Sequence, residues 1–154
     1  MDDLRERAAA VAAKVFETMF FLCLEPRENA GPNGAGEGIP AGQYLKSAIQ
    51  IEGEAAGQIK IYLPCALAQS MAENFLGLDE EVTQPQTLDM VGELLNMICG
   101  NLLSSGGKKV PCRLGMPLNE AIDERELKRE LTQAGINLDF EVEGQGVRLQ
   151  IQLA

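Results

Sequence analysis

The sequence predicts an α+β fold in which long helices pack on an antiparallel sheet, and three features lead there. Residues 3–21 and 86–104 repeat their apolar residues with the period of a helix. Two pairs of short runs alternate apolar and polar residues, as half-buried strands of hairpins do. The order helix-then-hairpin occurs twice, which points to an internally duplicated unit with its sheet beneath the helices.

Taken in order, the first segment spaces Val11, Val15, Met19 and Leu22 for one buried stripe, with Ala8 and Ala12 beside it. The chain then becomes extended from Leu22 to Pro26. Residues 27–42 are rich in Gly and Pro, a flexible-loop composition read as an exposed insertion without function. Ala48, Ile49 and Ile51, then Ile59, Ile61 and Leu63, predict a hairpin turned at Glu52-Gly53-Glu54. Pro64 opens a short helix at 65–76, with Leu67, Met71 and Phe75 on one face and Gly77 placed to cap its end.

Thr83 and Pro85 suit the first turn of the long helix. Ser105-Gly106-Gly107 ends it, and Lys108-Lys109 follow where positive charge suits a helix C-terminus. Cys112 to Leu118 reads as a strand ending at Pro117. Residues 123–133 are strongly charged but place Leu127 and Leu131 at i and i+4, which fits a surface helix. Leu138, Phe140 and Val142, a turn at Glu143-Gly144-Gln145-Gly146, then Val147, Leu149, Ile151 and Leu153 form the second hairpin.

Composition sets limits on function. A chain of 154 residues that is 45% hydrophobic is read as one domain, 1–154, able to fold without disulfides or metals. Its net charge of −10 argues against nucleic acid and against an anionic membrane surface, both of which call for a positive footprint. Cys23, Cys65, Cys99 and Cys112 form no C-x-x-C pair and there is no His, so no metal site is expected. Cys65 and Cys99 sit among apolar residues, where reduced Cys behaves as a small hydrophobe. The missing His also removes the Ser-His and Cys-His nucleophile pairs. The first residues, MDDLRER, are unlike a secretory signal, and Lys14 and Glu17 interrupt the apolar run that follows. The expectation is a reduced, cytoplasmic protein.

The stretch QTLDMVGELLNMICGNLLS carries the candidate site. At 100° per residue, Val91, Leu94, Leu95, Ile98 and Leu102 share one helix face. Asp89, Glu93, Asn96 and Gly100 fall on the opposite face as a single stripe of two acids, an amide and a bare backbone position. Asn and Gly are poor helix formers, Gly by about 1 kcal/mol against Ala, so helix stability does not account for them. From these residues alone the stripe could be a wet helix face, or Asp89 and Glu93 could act as an acid/base pair of a carboxylate hydrolase.

The longer string E-L-L-N-M-I-C-G-N resembles the CheX branch of the CheC/CheX/FliY phosphatases of bacterial chemotaxis. Their signature is an Asp or Ser, three residues, Glu, two residues, Asn, and a Pro some twenty-odd residues on. Here the matching positions are Asp89, Glu93, Asn96 and, slightly early, Pro117, with Gly100 and Asn101 completing the string. VFETM near the end of the first helix is also CheX-like. Two-site relatives repeat the motif on the first helix, where this chain has Ala13, Glu17 and Phe20. The leading acid and the amide are both missing, so the resemblance implies a one-site protein.

The resemblance also implies a CheC-like two-layer fold and a role in two-component signalling. The expected partner is the phosphorylated receiver of a CheY-like response regulator, whose aspartyl phosphate is hydrolysed. Asn96 would orient the attacking water, since a carboxamide is not basic at neutral pH. Glu93 would pair with the receiver's active-site lysine, Gly100 would leave room for close approach, and Asp89 would serve as a rim contact. No cofactor of its own is implied, Mg2+ being expected in the partner receiver. A homodimer through exposed sheet edges is compatible with the resemblance. The alternative is a non-catalytic module of the same fold that docks on a receiver or a flagellar switch component.

Overall fold

The computed structural model describes residues 2–27, 39–54, 56–77, 81–105 and 112–153. Its elements run α1 (Asp2–Phe20), β1 (Glu25–Pro26), β2 (Gln43–Gly53), β3 (Gly57–Pro64), α2 (Cys65–Leu76), α3 (Gln84–Ser104), β4 (Cys112–Leu114), β5 (Leu118–Asp123), α4 (Glu124–Leu131), β6 (Ile136–Val142) and β7 (Gln145–Leu153). The described strands form one antiparallel sheet in the order β1-β6-β7-β3-β2-β4, with β5 also paired to β2. Helix followed by hairpin does recur, and the two copies interlock. The strand after α1 pairs with the second hairpin, the strands after α3 pair with the first, and β3 pairs with β7 between them. Each half therefore completes the sheet of the other.

One face of the sheet carries Leu45, Ile49, Ile61, Leu63, Leu149 and Ile151, buried in a common core with α1, α2 and α3. Alternation along β2 and β3 sends Tyr44 and Tyr62 to the opposite face. There α4 covers them with Leu127 and Leu131, and Ile122 and Ile39 join a second, smaller cluster. The two-layer arrangement holds for α1, α2 and α3, and α4 adds a partial layer beneath. Under α4, Glu130 accepts from Lys46 Nζ at 2.6 Å and from Tyr62 Oη at 2.9 Å, with Lys60 Nζ at 3.5 Å. Burial would raise the Glu130 carboxyl, but these hydrogen bonds and ammonium charges outweigh it and hold the carboxyl below its ordinary value.

Several expectations shift. The buried side of α1 is Ala8, Ala12, Val15, Phe16 and Phe20, whereas Met19 is 36% exposed and Val11 and Leu22 are only half-buried. Two aromatic rings offer more apolar area than Met and Leu, so the helix turns them inward. Phe75, expected on one face of α2 with Leu67 and Met71, stays 38% exposed, its ring centroid 5.4 Å from that of Phe20. Gly77 caps α2 in the left-handed conformation at φ 62°.

The strand expected at Cys112 to Leu118 does not end at Pro117. It breaks after Leu114 and resumes as β5, and across this break three residues, 115–117, face two of β2. That is a bulge, where a proline without an N–H interrupts no ladder bond. Of the Gly- and Pro-rich stretch at 27–42, residues 28–38 lie outside the described residues, as do Gly106, Gly107, Lys108 and Lys109. Its far end is anchored rather than loose, because Ile39 is buried and Tyr44 Oη donates to the Pro40 carbonyl at 2.6 Å.

Candidate functional site

Helix α3 is secured at its start and along its inner face. Thr83 is the N-cap, and its hydroxyl accepts from the Gln86 N–H while the Gln86 side chain accepts from the Thr83 N–H. This reciprocal box satisfies donors that a helix start leaves open, with Pro85 in the first turn where a missing N–H costs nothing. Val91, Leu94, Leu95, Ile98 and Cys99 are fully buried against the sheet and neighbouring helices. Burial pushes the Cys99 thiol up to about 12, so it remains protonated. Cys65, at the start of α2, packs against the same apolar core as expected but is only half-buried.

With that face fixed inward, Asp89, Glu93, Asn96 and Gly100 all point to solvent. At 1.5 Å per residue they span about 16 Å of helix. The side chains of Asp89, Glu93 and Asn96 form no hydrogen bond or ion pair with another described residue. A Cβ placed at Gly100 would meet nothing within 4 Å. The stripe is thus an open face holding a carboxylate and a carboxamide one turn apart, free to bind outward. The carboxylate can pair with an ammonium, and the amide can donate and accept at once.

One flank of the stripe is walled. A Cβ at Gly92, one turn before Asn96, would stand 2.7 Å from Asn119 Nδ2 and 3.0 Å from its Oδ1. Asn119 in turn accepts from the buried Ser47 hydroxyl at 2.6 Å. Only a glycine on α3 lets β5 seat this closely. Pro117, half-buried, stands two residues before Asn119 in the bulge that leads into β5. Ser47, Gly92 and Asn119 escaped the sequence reading; the available signal was a glycine inside the strongest helical pattern, directly before Glu93.

The corresponding face of α1 is different. Glu17 is exposed and Ala13 half-buried, but Phe20 is only 5% exposed, its ring between those of Phe16 and Phe75. No second amide is presented there. Among the described residues, the carboxylates of Glu120, Glu126 and Glu130 approach one another within 4.8 Å. The cations in contact with them are Lys46, 3.5 Å from Glu120 and 2.6 Å from Glu130, and Lys60, 3.5 Å from Glu130. No described helix is long and apolar enough to cross a membrane.

The fold is that of the CheC-like chemotaxis proteins. CheX of Vibrio vulnificus is 20% identical, with 99% of this chain and 97% of that one covered at a TM-score of 0.74. A CheX from Desulfovibrio desulfuricans is 18% identical over 99% of each chain, at a TM-score of 0.72. The CheX of a Borrelia burgdorferi CheX-CheY-BeF3-Mg2+ complex is 20% identical, covering 98% of this chain and 97% of that one, at a TM-score of 0.65. No curated protein matches the sequence. The profile of the family described as chemotaxis phosphatase CheX matches residues 46–141, a span containing all of α3, the bulge and β5. The chain belongs to the CheX family.

Proposed function

We propose that this protein docks on the phosphorylated receiver of a CheY-like response regulator and hydrolyses its aspartyl phosphate. The observation that carries the reading is the open stripe on α3, whose Glu93 and Asn96 have no partner among the described residues and lie within the family match. The bound CheY of the Borrelia complex supports a receiver as partner. In the proposed step a water attacks phosphorus in line and the bond from phosphorus to the aspartyl oxygen breaks, giving inorganic phosphate and a free carboxylate. The acyl phosphate is already reactive, so placing the water is the main task left to the catalyst. Asn96 accepts from that water and donates to it, fixing its orientation without removing a proton. Glu93 pairs with the receiver's lysine and holds the two proteins in register. Any divalent ion in the reaction is the receiver's.

Single-turnover dephosphorylation of a phosphorylated receiver tests this. Asn96→Ala should slow turnover by about 10²-fold, equivalent to about 2.7 kcal/mol, while binding is largely kept. Glu93→Lys should weaken docking. Binding without turnover by the unaltered protein would leave only the non-catalytic docking module.

A further inference from the structure

Well away from α3, the first turn of α2, the start of β2 and the β6–β7 turn enclose a cavity of about 500 Å3. Two guanidiniums enter it, Arg148 from β7 and Arg27 from the end of β1. Arg148 is only 6% exposed. Both converge over Gly146, where an added Cβ would lie 3.1 Å from Arg148 Nη1 and 3.3 Å from Arg27 Nη1. Their nearest carboxylates, Asp139 and Glu141, are each 3.8 Å away, too far to accept a hydrogen bond. Asp139 Oδ1 is itself buried without a hydrogen-bond partner. Neither guanidinium donates a hydrogen bond to another described residue, although a buried arginine requires acceptors.

The third wall is the start of α2. Its N-cap is Pro64, which supplies no side-chain acceptor, and Cys65 and Ala66 of the first turn line the cavity. A helix start without a cap offers free N–H groups and a partial positive charge. Donors thus come from two arginines and a helix terminus around one cavity. Paired guanidiniums beside an uncapped helix start are the donor set that binds phosphoryl oxygens.

We propose that this cavity binds the phosphoryl group of a small molecule, held by Arg27, Arg148 and the first-turn amides of α2. The site is separate from the α3 stripe and does not rest on the phosphatase reading. Its volume is within the range of small-ligand pockets, so it could hold a phosphate ester as well as free phosphate.

The test is an NMR titration of the 15N-labelled full chain with inorganic phosphate, and separately with glycerol 3-phosphate, at fixed ionic strength. Saturable shifts at Cys65, Ala66, Gly144 and Gly146, weakened at least tenfold by Arg148→Gln and by Arg27→Gln, are expected. Arg27 is partly exposed, so its variant keeps the test valid should Arg148→Gln fail to fold. Tighter binding of the ester than of phosphate identifies an organic ligand, and the reverse identifies the free ion. Shifts that do not saturate, that persist unchanged in Arg27→Gln, or that acetate reproduces at equal concentration overturn the proposal.

Discussion

Gly100→Ala separates the stability of α3 from its use. Gly100 lies inside a 21-residue helix, is exposed, and has nothing within 4 Å of a prospective Cβ. Alanine there should stabilise the protein by about 1 kcal/mol through helix propensity. For a chain of this size that raises Tm by roughly 2–4 °C. If the stripe is pressed into a partner, the same methyl intrudes on a fitted interface, at a cost of about 1–3 kcal/mol. Single-turnover dephosphorylation should then slow by roughly tenfold or more at sub-saturating enzyme.

Gly92→Ala, two turns earlier, is the internal control. Its methyl would stand 2.7 Å from Asn119 Nδ2, and the displacement would take Asn119 from the buried Ser47 hydroxyl. That loss costs about 1–3 kcal/mol and exceeds or cancels the propensity gain, so Tm should stay level or fall. Calorimetry and the dephosphorylation assay on both variants decide. A Gly100→Ala protein that melts higher and still dephosphorylates the receiver at the unaltered rate would refute the docking face.

Glu130→Gln should destabilise the protein by about 3 kcal/mol at neutral pH, because buried Lys60 and half-buried Lys46 lose their carboxylate. The folded-state pKa of Glu130 lies below its ordinary 4.5, so its contribution is complete above that value and disappears as pH falls through the folded pKa. Urea titrations across this range should show the two proteins converging in acid; a constant difference down to pH 2 would be inconsistent with this. Phe21→Gly should stabilise by about 0.5–1 kcal/mol in chemical denaturation. Phe21 is 89% exposed at φ 55°, closing α1 through Leu22 N–H to Phe16 O and Phe21 N–H to Glu17 O, a capping position where glycine is unstrained. Phe20→Asn should cost about 3–5 kcal/mol by removing a buried ring, and a second phosphatase site should not appear in the turnover assay.

Local chemistry was the most legible part of this sequence. Helix α2 and its Gly77 cap, the Thr83 start of α3 and both hairpins follow from period and end signals that act within a few residues. The stripe was equally readable, because the fully apolar opposite face of α3 leaves Asp89, Glu93, Asn96 and Gly100 only one direction to point. What remained hidden depends on partners distant in sequence. The rotation of α1 brings Phe20 against Phe75 on another helix, a contact outside any local pattern. The continuation of β4 into β5 depends on pairing with β2, which a proline seemed to forbid until the bulge put it off the ladder. Lys46, Lys60 and Glu130 lie on three different elements, and only the folding of α4 beneath the sheet brings them together.

This separation has a consequence for how the site can be altered. The residues that hold α3 in place, from Thr83 and Gln86 to Ser47, Gly92 and Asn119, have bonds or close contacts to lose. Asp89, Glu93 and Asn96 have none among the described residues, so nothing internal maintains their identity. Substitutions at these three positions should therefore move binding or turnover with little change in Tm, whereas substitutions at Gly92 or Asn119 should move both. A stripe that served only as a solvated helix face would give neither pattern, because exchanging an exposed, unpartnered side chain would then leave every measurement within about 0.5 kcal/mol.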